Sequence, residues 1–220
     1  MKRYYSIFQS GRDAEIYIFG DITHQVWAPG EVSASSFVSQ LSALDADTIH
    51  VHIDSYGGTV SEGWAIYNAL RQHPARIVTY GDGFVASAAM YPFLAGDERI
   101  ASSLSAYYLH EVMISASGYA DDLRSAADDA DAMTEIGIRA FVERAGIPED
   151  RVRQLMAEES WLTPEQALEL GIATKLLADE APKHTQNARE SILQALHHPD
   201  QKSKPTIMQL LTDSICKNRR

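Results

Sequence analysis

Cysteine is almost missing from this chain. Cys216 is the only one among 220 residues, which excludes an intramolecular disulfide framework and a cysteine-built metal cluster. Basic charge is also short: 19 Lys and Arg stand against 30 Asp and Glu, a formal net charge of −11. That balance sets aside nucleic acid as a general partner, because phosphate binding needs a basic surface. Long apolar runs are wanting too. No stretch approaches the roughly 18 consecutive apolar residues of a membrane-crossing helix, and no membrane partner is expected. The first residues, Met1-Lys-Arg-Tyr-Tyr-Ser-Ile-Phe, carry no apolar core followed by a small-residue cleavage site. Nor are there internal repeats. What is left is an ordinary globular composition, 45% hydrophobic and 22% charged, and the expectation of a soluble protein in a reducing cytoplasm.

What is present alternates between strand and helix patterns. Residues 15–20 read as a short strand ending in Gly20. Phe37, Leu41 and Leu44 share one helical face within 32–44, where serines offer caps. Residues 48–53 alternate as a strand, and Asp54-Ser-Tyr-Gly-Gly58 turns into a helix. Thr59 is its expected cap, with Glu62 at capping-box spacing, and Pro74 follows its end. Residues 76–80 form a further strand, and 99–101 and 106–110 read as two short ones. Leu123, Ala127, Ala130, Met133, Gly137 and Phe141 recur at helical steps over 119–145. The other face of that helix carries Asp121, Asp122, Asp128, Asp129, Asp131 and Glu135. No metal-ligand spacing stands out among them, so this is read as a solvated face and no metal is expected. A helix over 149–158, a Thr163-capped helix ending at Gly171 and a strand over 172–177 complete an α/β layered core. Composition shifts near residue 179 into a polar tail with two weak helical stretches, 188–196 and 206–215, and a basic end, 217–220. The tail is read as a flexible extension that docks the protein, is trimmed away, or is an unstructured end.

One stretch carries chemistry: Gly81-Asp-Gly-Phe-Val-Ala-Ser-Ala-Ala-Met90. It leaves a buried strand through two glycines and surrounds a single hydroxyl, Ser87, with Ala86, Ala88 and Ala89. Small neighbours leave access to the hydroxyl, and free amides at the start of a helix favour developing negative charge. Small-residue helices that merely pack tightly are common, so the surroundings matter. His110, at the end of a strand, is a candidate proton acceptor. Glu159, just before Ser160-Trp-Leu-Thr163, is a candidate carboxylate to orient it, with Glu158 as the neighbouring alternative. Gly57-Gly58, at a strand-to-helix turn, can present an amide to an oxyanion, joined by the amide of Ala88. Taken singly, each has a plainer use, as core histidine, surface glutamate or turn.

Taken in order they form a pattern. Ser-Tyr-Gly-Gly-Thr-Val-Ser-Glu-Gly-Trp-Ala-Ile-Tyr at 55–67 precedes Gly-Phe-Val-Ala-Ser-Ala-Ala at 83–89. Tyr-Leu-His-Glu at 108–111 and Glu-Ser-Trp-Leu-Thr-Pro-Glu-Gln-Ala-Leu-Glu-Leu-Gly at 159–171 follow. This order and spacing resemble the Clp protease proteolytic-subunit family of serine peptidases over about 15–178. The resemblance implies a β/α spiral of the crotonase type, with a protruding handle near 112–145, between an N-terminal segment (1–14) and the extension (179–220). It implies Ser87 as nucleophile, His110 as general base, Glu159 where the family usually has Asp, and the Gly58 and Ala88 amides as oxyanion hole. It also implies a homo-oligomeric ring acting on polypeptides without a cofactor.

Departures narrow the expectation. Tyr56 stands where the family commonly has Pro, and Glu111-Val112 replaces the usual Gln-Pro. With the C-terminal extension, these make the chain look most like the phage branch. That branch implies a head-maturation (prohead) protease that trims scaffold and capsid proteins in a bacterial cytoplasm or inside a procapsid. The alternatives are a degradative subunit working with an unfoldase ATPase, an inactive ring or scaffold subunit, and an acyl-CoA enzyme of the wider crotonase group.

Overall fold

Alternating buried and half-buried residues in Asp13–Phe19 and Thr48–Ser55 mark two half-buried strands, β2 and β3. The computed structural model, which describes residues 4–28 and 30–177, sets them side by side and parallel. β1 (Tyr4–Ser10) closes an antiparallel hairpin with β2, its two-residue turn carrying Gly11 at φ 64°. Residues 4–10 are therefore the edge strand of the sheet, where the sequence reading began a strand only at residue 15. The expected tail helices lie outside the described residues.

The sheet runs β1-β2-β3-β4-β5-β8, with β4 (Arg76–Ala86), β5 (Glu98–Ala101) and β8 (Lys175–Leu176) all parallel to β3. β4 is longer than expected and changes partner along its length. Its first half pairs with β5, while Phe84, Val85 and Ala86 pair with β6 (Ala106–Tyr108). β6 then takes up antiparallel β7 (Trp161–Leu162), a strand too short to show a period in sequence.

Helices cover the sheet as the apolar stripes dictate. α1 (Ala34–Leu41) buries Phe37 and Leu41, and α2 (Val60–Gln72) buries Gly63, Ile66 and Leu70. Thr59 is the N-cap of α2, but its side chain makes no capping bond. Glu62 does not close the expected box. Its carboxylate accepts the Ala34 N–H at the start of α1 (2.7 Å) and approaches His24, so one acid satisfies a neighbouring helix's orphan amide instead. The cap expected at Thr163 does form, and Gln166 completes a capping box with it at the head of α6 (Pro164–Glu169).

A five-residue helix, α3 (Met90–Leu94), is wholly buried, and α4 (Ala120–Ala145) packs against it through Gly137 and Phe141. α4 buries only Thr134, Gly137, Ile138 and Phe141, all in its second half. The acidic residues of its first half are exposed. Arg99, 5% exposed, fastens the far side by donating to the carbonyls of Gly96, Arg144, Gly171 and Ile172. It ties β5 to the ends of α4 and α6 and satisfies four buried or part-buried acceptors. α5 (Glu149–Glu158) contributes Val152, Leu155 and Met156 to the same core.

Candidate active site

β4 ends at Ala86 in extended conformation, and the next residue, Ser87, takes φ 55°. A side-chain-bearing residue pays for that left-handed conformation in backbone strain. The turn then tightens through a single 3-10 turn, 87–89, into α3. The effect is to lift the Ser87 hydroxyl out of the sheet end while Ala88 and Ala89 stay buried.

The neighbouring turn comes equally close. A Cβ on Gly57 would stand 2.5 Å from the Ala86 carbonyl oxygen and 2.7 Å from the Ala88 nitrogen; one on Gly58 would stand 2.1 Å from the Ile22 carbonyl oxygen. Both also have positive φ, 93° and 138°. Only glycine fits either place. Ser55 Oγ, buried, accepts the Gly57 N–H at 3.0 Å and fixes the turn. Ile22 bridges Gly58 through the Gly57 carbonyl and the Thr59 N–H. A parallel bridge of that kind leaves the Gly58 N–H directed away from Ile22. The Ala88 N–H lies in the first turn of the 3-10 helix, where amides lack intrahelical acceptors. The two sequence-chosen amides thus flank Ser87 from two separate elements.

His110 lies two residues beyond β6, and its Nε2 is 2.7 Å from Ser87 Oγ. The pair chosen from sequence is therefore in direct hydrogen-bonding contact across a separation of 23 residues. Past His110 the chain has no regular structure until α4, but the Val112 N–H donates to the buried Thr134 Oγ1 (3.0 Å) and pins it to that helix.

Glu159 is not joined to that pair. It is the exposed C-cap of α5 at φ 49°, ψ 38°, and among the described residues no side-chain hydrogen bond reaches His110 Nδ1. The β6–β7 ladder pairs Tyr107 with Leu162 and Tyr108 with Trp161 and ends there, two residues short of both His110 and Glu159. Glu158, the alternative, accepts from Gln154 and approaches Arg151, both on its own helix.

A groove of about 520 Å³ runs over the pair. One part is lined by Met90, Tyr91, Met133 and Phe141 from the helices, another by Tyr56, Tyr108 and Trp161 from the strand ends. Sequence reading missed the second part. Tyr56 stacks on Phe84 (4.6 Å between ring centroids), Phe84 meets Trp161 (5.2 Å), Trp161 meets Tyr108 (4.9 Å), and Tyr108 meets the His110 ring (5.5 Å). Its one sequence signal was spacing, since Tyr108 and His110 are two apart and share a strand face. No group of three or more His, Cys, Asp or Glu able to hold a metal occurs among the described residues, and none of their helices is long and apolar enough to cross a membrane.

A serine on a strained strand-to-helix turn, bonded to a histidine, is the arrangement that serine-nucleophile hydrolases on α/β scaffolds use. A sequence model described as Clp protease matches residues 11–180, and the chain belongs to that family. Proteolytic subunit 2 of the ATP-dependent Clp protease of Treponema pallidum (strain Nichols) is 31% identical over 169 residues, covering 72% of this chain and 84% of that protein. Proteolytic subunit 3 of Rhizobium meliloti (strain 1021) is 28% identical over 175 residues, 77% and 86% of the two chains. The solved structure of a ClpP1 mutant from Listeria monocytogenes superposes with a TM-score of 0.64 at 22% identity, covering 76% of this chain and 92% of that one. The fold is thus the Clp-protease β/α spiral expected from the motif order.

Proposed function

We propose that the chain is a serine endopeptidase in which Ser87, His110 and Glu159 cooperate with the Gly58 and Ala88 amides. The 2.7 Å contact between Ser87 Oγ and His110 Nε2, beside those amides, carries the reading. With the proton on Nδ1, the neutral imidazole accepts the Ser87 hydroxyl proton as Oγ attacks a peptide carbonyl carbon. The carbonyl oxygen becomes an oxyanion in reach of the two amides. Collapse breaks the C–N bond, and His110 returns its proton to the leaving amine. Water, deprotonated by the same imidazole, then attacks the acyl ester and frees Ser87. Glu159, two residues before β7, balances the imidazolium when its side chain turns inward. No cofactor enters any step.

Labelling with a fluorophosphonate and mapping the adduct tests this directly. An adduct on Ser87, absent in Ser87→Ala and formed more slowly in Glu159→Gln, is expected. Loss of labelling only at some other serine would end the assignment.

Within that chemistry we place the protein as a ring-forming head-maturation protease trimming scaffold and capsid proteins. Tyr56 before the glycine pair, Glu111-Val112 after the histidine and the extension beyond residue 178 support this branch. The second reading, a degradative subunit served by an unfoldase, is favoured by the relatives, which are named as subunits of ATP-dependent proteases. The two separate on one comparison. Maturation predicts limited cuts in assembled scaffold and capsid protein without ATP. Degradation predicts processive loss of a folded substrate only with an ATPase and ATP.

A further inference from the structure

His110 sits where little holds it. β6 has ended at Tyr108, the residues from 109 to 117 lack regular structure, and beyond His110 the next backbone anchor is the Val112–Thr134 bond. Its Nδ1 has no side-chain partner among the described residues, yet its Nε2 is within 2.7 Å of Ser87 Oγ. A free imidazole has two soft torsions, so something must select this orientation.

Among the described residues the ring against it is Tyr108, with centroids 5.5 Å apart and planes 34° apart. Tyr108 is itself held from behind by Trp161 at 4.9 Å and 32°, and Trp161 by Phe84. The β6–β7 ladder sets Tyr108 directly across from Trp161, and cross-strand aromatic pairs of this kind are a main source of sheet order. The backing rings stay partly open, Trp161 at 46% and Phe84 at 38% exposure. A contiguous exposed aromatic patch marks a working surface, and this row of tilted rings ends at the imidazole.

We infer that Tyr108, backed by Trp161, is the positioning residue for His110: contact with its ring, rather than a carboxylate hydrogen bond, sets the imidazole orientation that lets Nε2 reach Ser87. The inference rests on the serine-peptidase reading for its kinetic consequence, but not for its structural one. Glu159 keeps its part in balancing charge, and the aromatic stack supplies orientation. The face of Tyr108 also favours a cation, so it suits the imidazolium formed during attack.

The test compares Tyr108→Leu, Tyr108→Phe and Trp161→Leu in the full chain, with two readouts. In the first, turnover of a short fluorogenic peptide falls in kcat by roughly tenfold to a hundredfold for Tyr108→Leu, as expected for a misplaced general base. KM stays within about twofold, Tyr108→Phe restores the rate because the ring suffices, and Trp161→Leu falls between. In the second, crystal structures of the same variants show the His110 ring turned from Ser87 in Tyr108→Leu and in place in Tyr108→Phe. An equal loss in Tyr108→Phe would overturn the inference, as would a Tyr108→Leu protein keeping both kcat and the 2.7 Å contact. If Ser87 in the parent protein takes no fluorophosphonate label, the peptidase reading fails. The orientation of His110 in the three crystal structures still decides the present inference by itself.

Discussion

Gly57 shows how a single missing side chain builds this site. It lets the β3–α2 turn lie against the Ala86 and Ala88 backbone on either side of Ser87, with clearance that no Cβ could share. Gly57→Ala is therefore expected to act on chemistry and stability together. The turn must withdraw from the nucleophile, and the positive φ adds strain of about 1–3 kcal/mol. Fluorophosphonate labelling of Ser87 should fall at least tenfold and the urea midpoint should drop; unchanged labelling would mean that the close approach is dispensable. Residue by residue, the site was readable where chemistry fixes identity. A serine among alanines, a glycine pair and a histidine after an aromatic strand were each selected from sequence, and Ser87 and His110 proved to be in contact. Glu159 was chosen by position in a motif. A carboxylate on a left-handed C-cap turns with its side-chain torsions, which no sequence spacing sets. The Tyr108 stack escaped because aromatic residues on strands are ordinarily core.

At the scale of elements, the outward face of β2, β3 and β4 carries a second cluster that the alternation of His50 and His52 only hinted at. The His52 ring is sandwiched between Tyr17 and Tyr80 at 4.8 and 4.4 Å, with Nδ1 2.6 Å from Asp82 and Nε2 3.0 Å from Glu15. His50 meets the Tyr80 hydroxyl at 3.0 Å, and Ser102 donates to the other Asp82 oxygen. Burial works against a charge on His52. The hydrogen bond and field of Asp82, then those of Glu15, outweigh it and hold the imidazole above the usual histidine range. A raised folded value means that stabilisation is fully present below the unfolded pKa of about 6.5 and is lost as pH rises through the folded value. The melting temperature of Asp82→Asn should thus lie furthest below that of the parent protein near pH 6, and the gap should narrow toward pH 9. A gap that stays constant across that range would remove His52 from the account. Helix limits were legible because α4, α5 and α6 have clear stripes and stops. β1 and β7 were not, since an edge strand and a two-residue strand offer too few alternations for a period to emerge.

The molecule as a whole leaves apolar surface that its own core does not use. Tyr119, Leu123 and Ile136 on and beside α4 are 87%, 46% and 48% exposed, and Leu104 and Met113 are 91% and 84% exposed. Ring formation would bury such residues between subunits. Sedimentation velocity at micromolar concentration should give a mass several times the 24.3 kDa of one chain. Leu123→Asp with Ile136→Asp should shift it toward the monomer, whereas a monomeric parent protein would set the ring aside. The α/β class and spiral were legible from the alternation of elements and the order of four motifs. The split pairing of β4 was not, because Gly81 and Gly83 read as the end of the strand, whereas β4 runs through both to Ala86 and meets its second neighbour there.

That split also divides the site by mechanical origin. Ser87 and the two proposed amide donors belong to the β3–β4 trunk, while His110 follows a side branch, β6 with β7, whose ladder to the trunk has three residue pairs, Phe84 with Ala106, Val85 with Tyr107 and Ala86 with Tyr108. The nucleophile and the proton carrier thus ride on parts of unequal cooperativity. Deuterium uptake by the native protein should be quicker over 106–112 and 159–162 than over 76–86, with the branch opening while the trunk stays closed. Activity would then be extinguished reversibly at the branch, leaving the nucleophile folded and ready for its return.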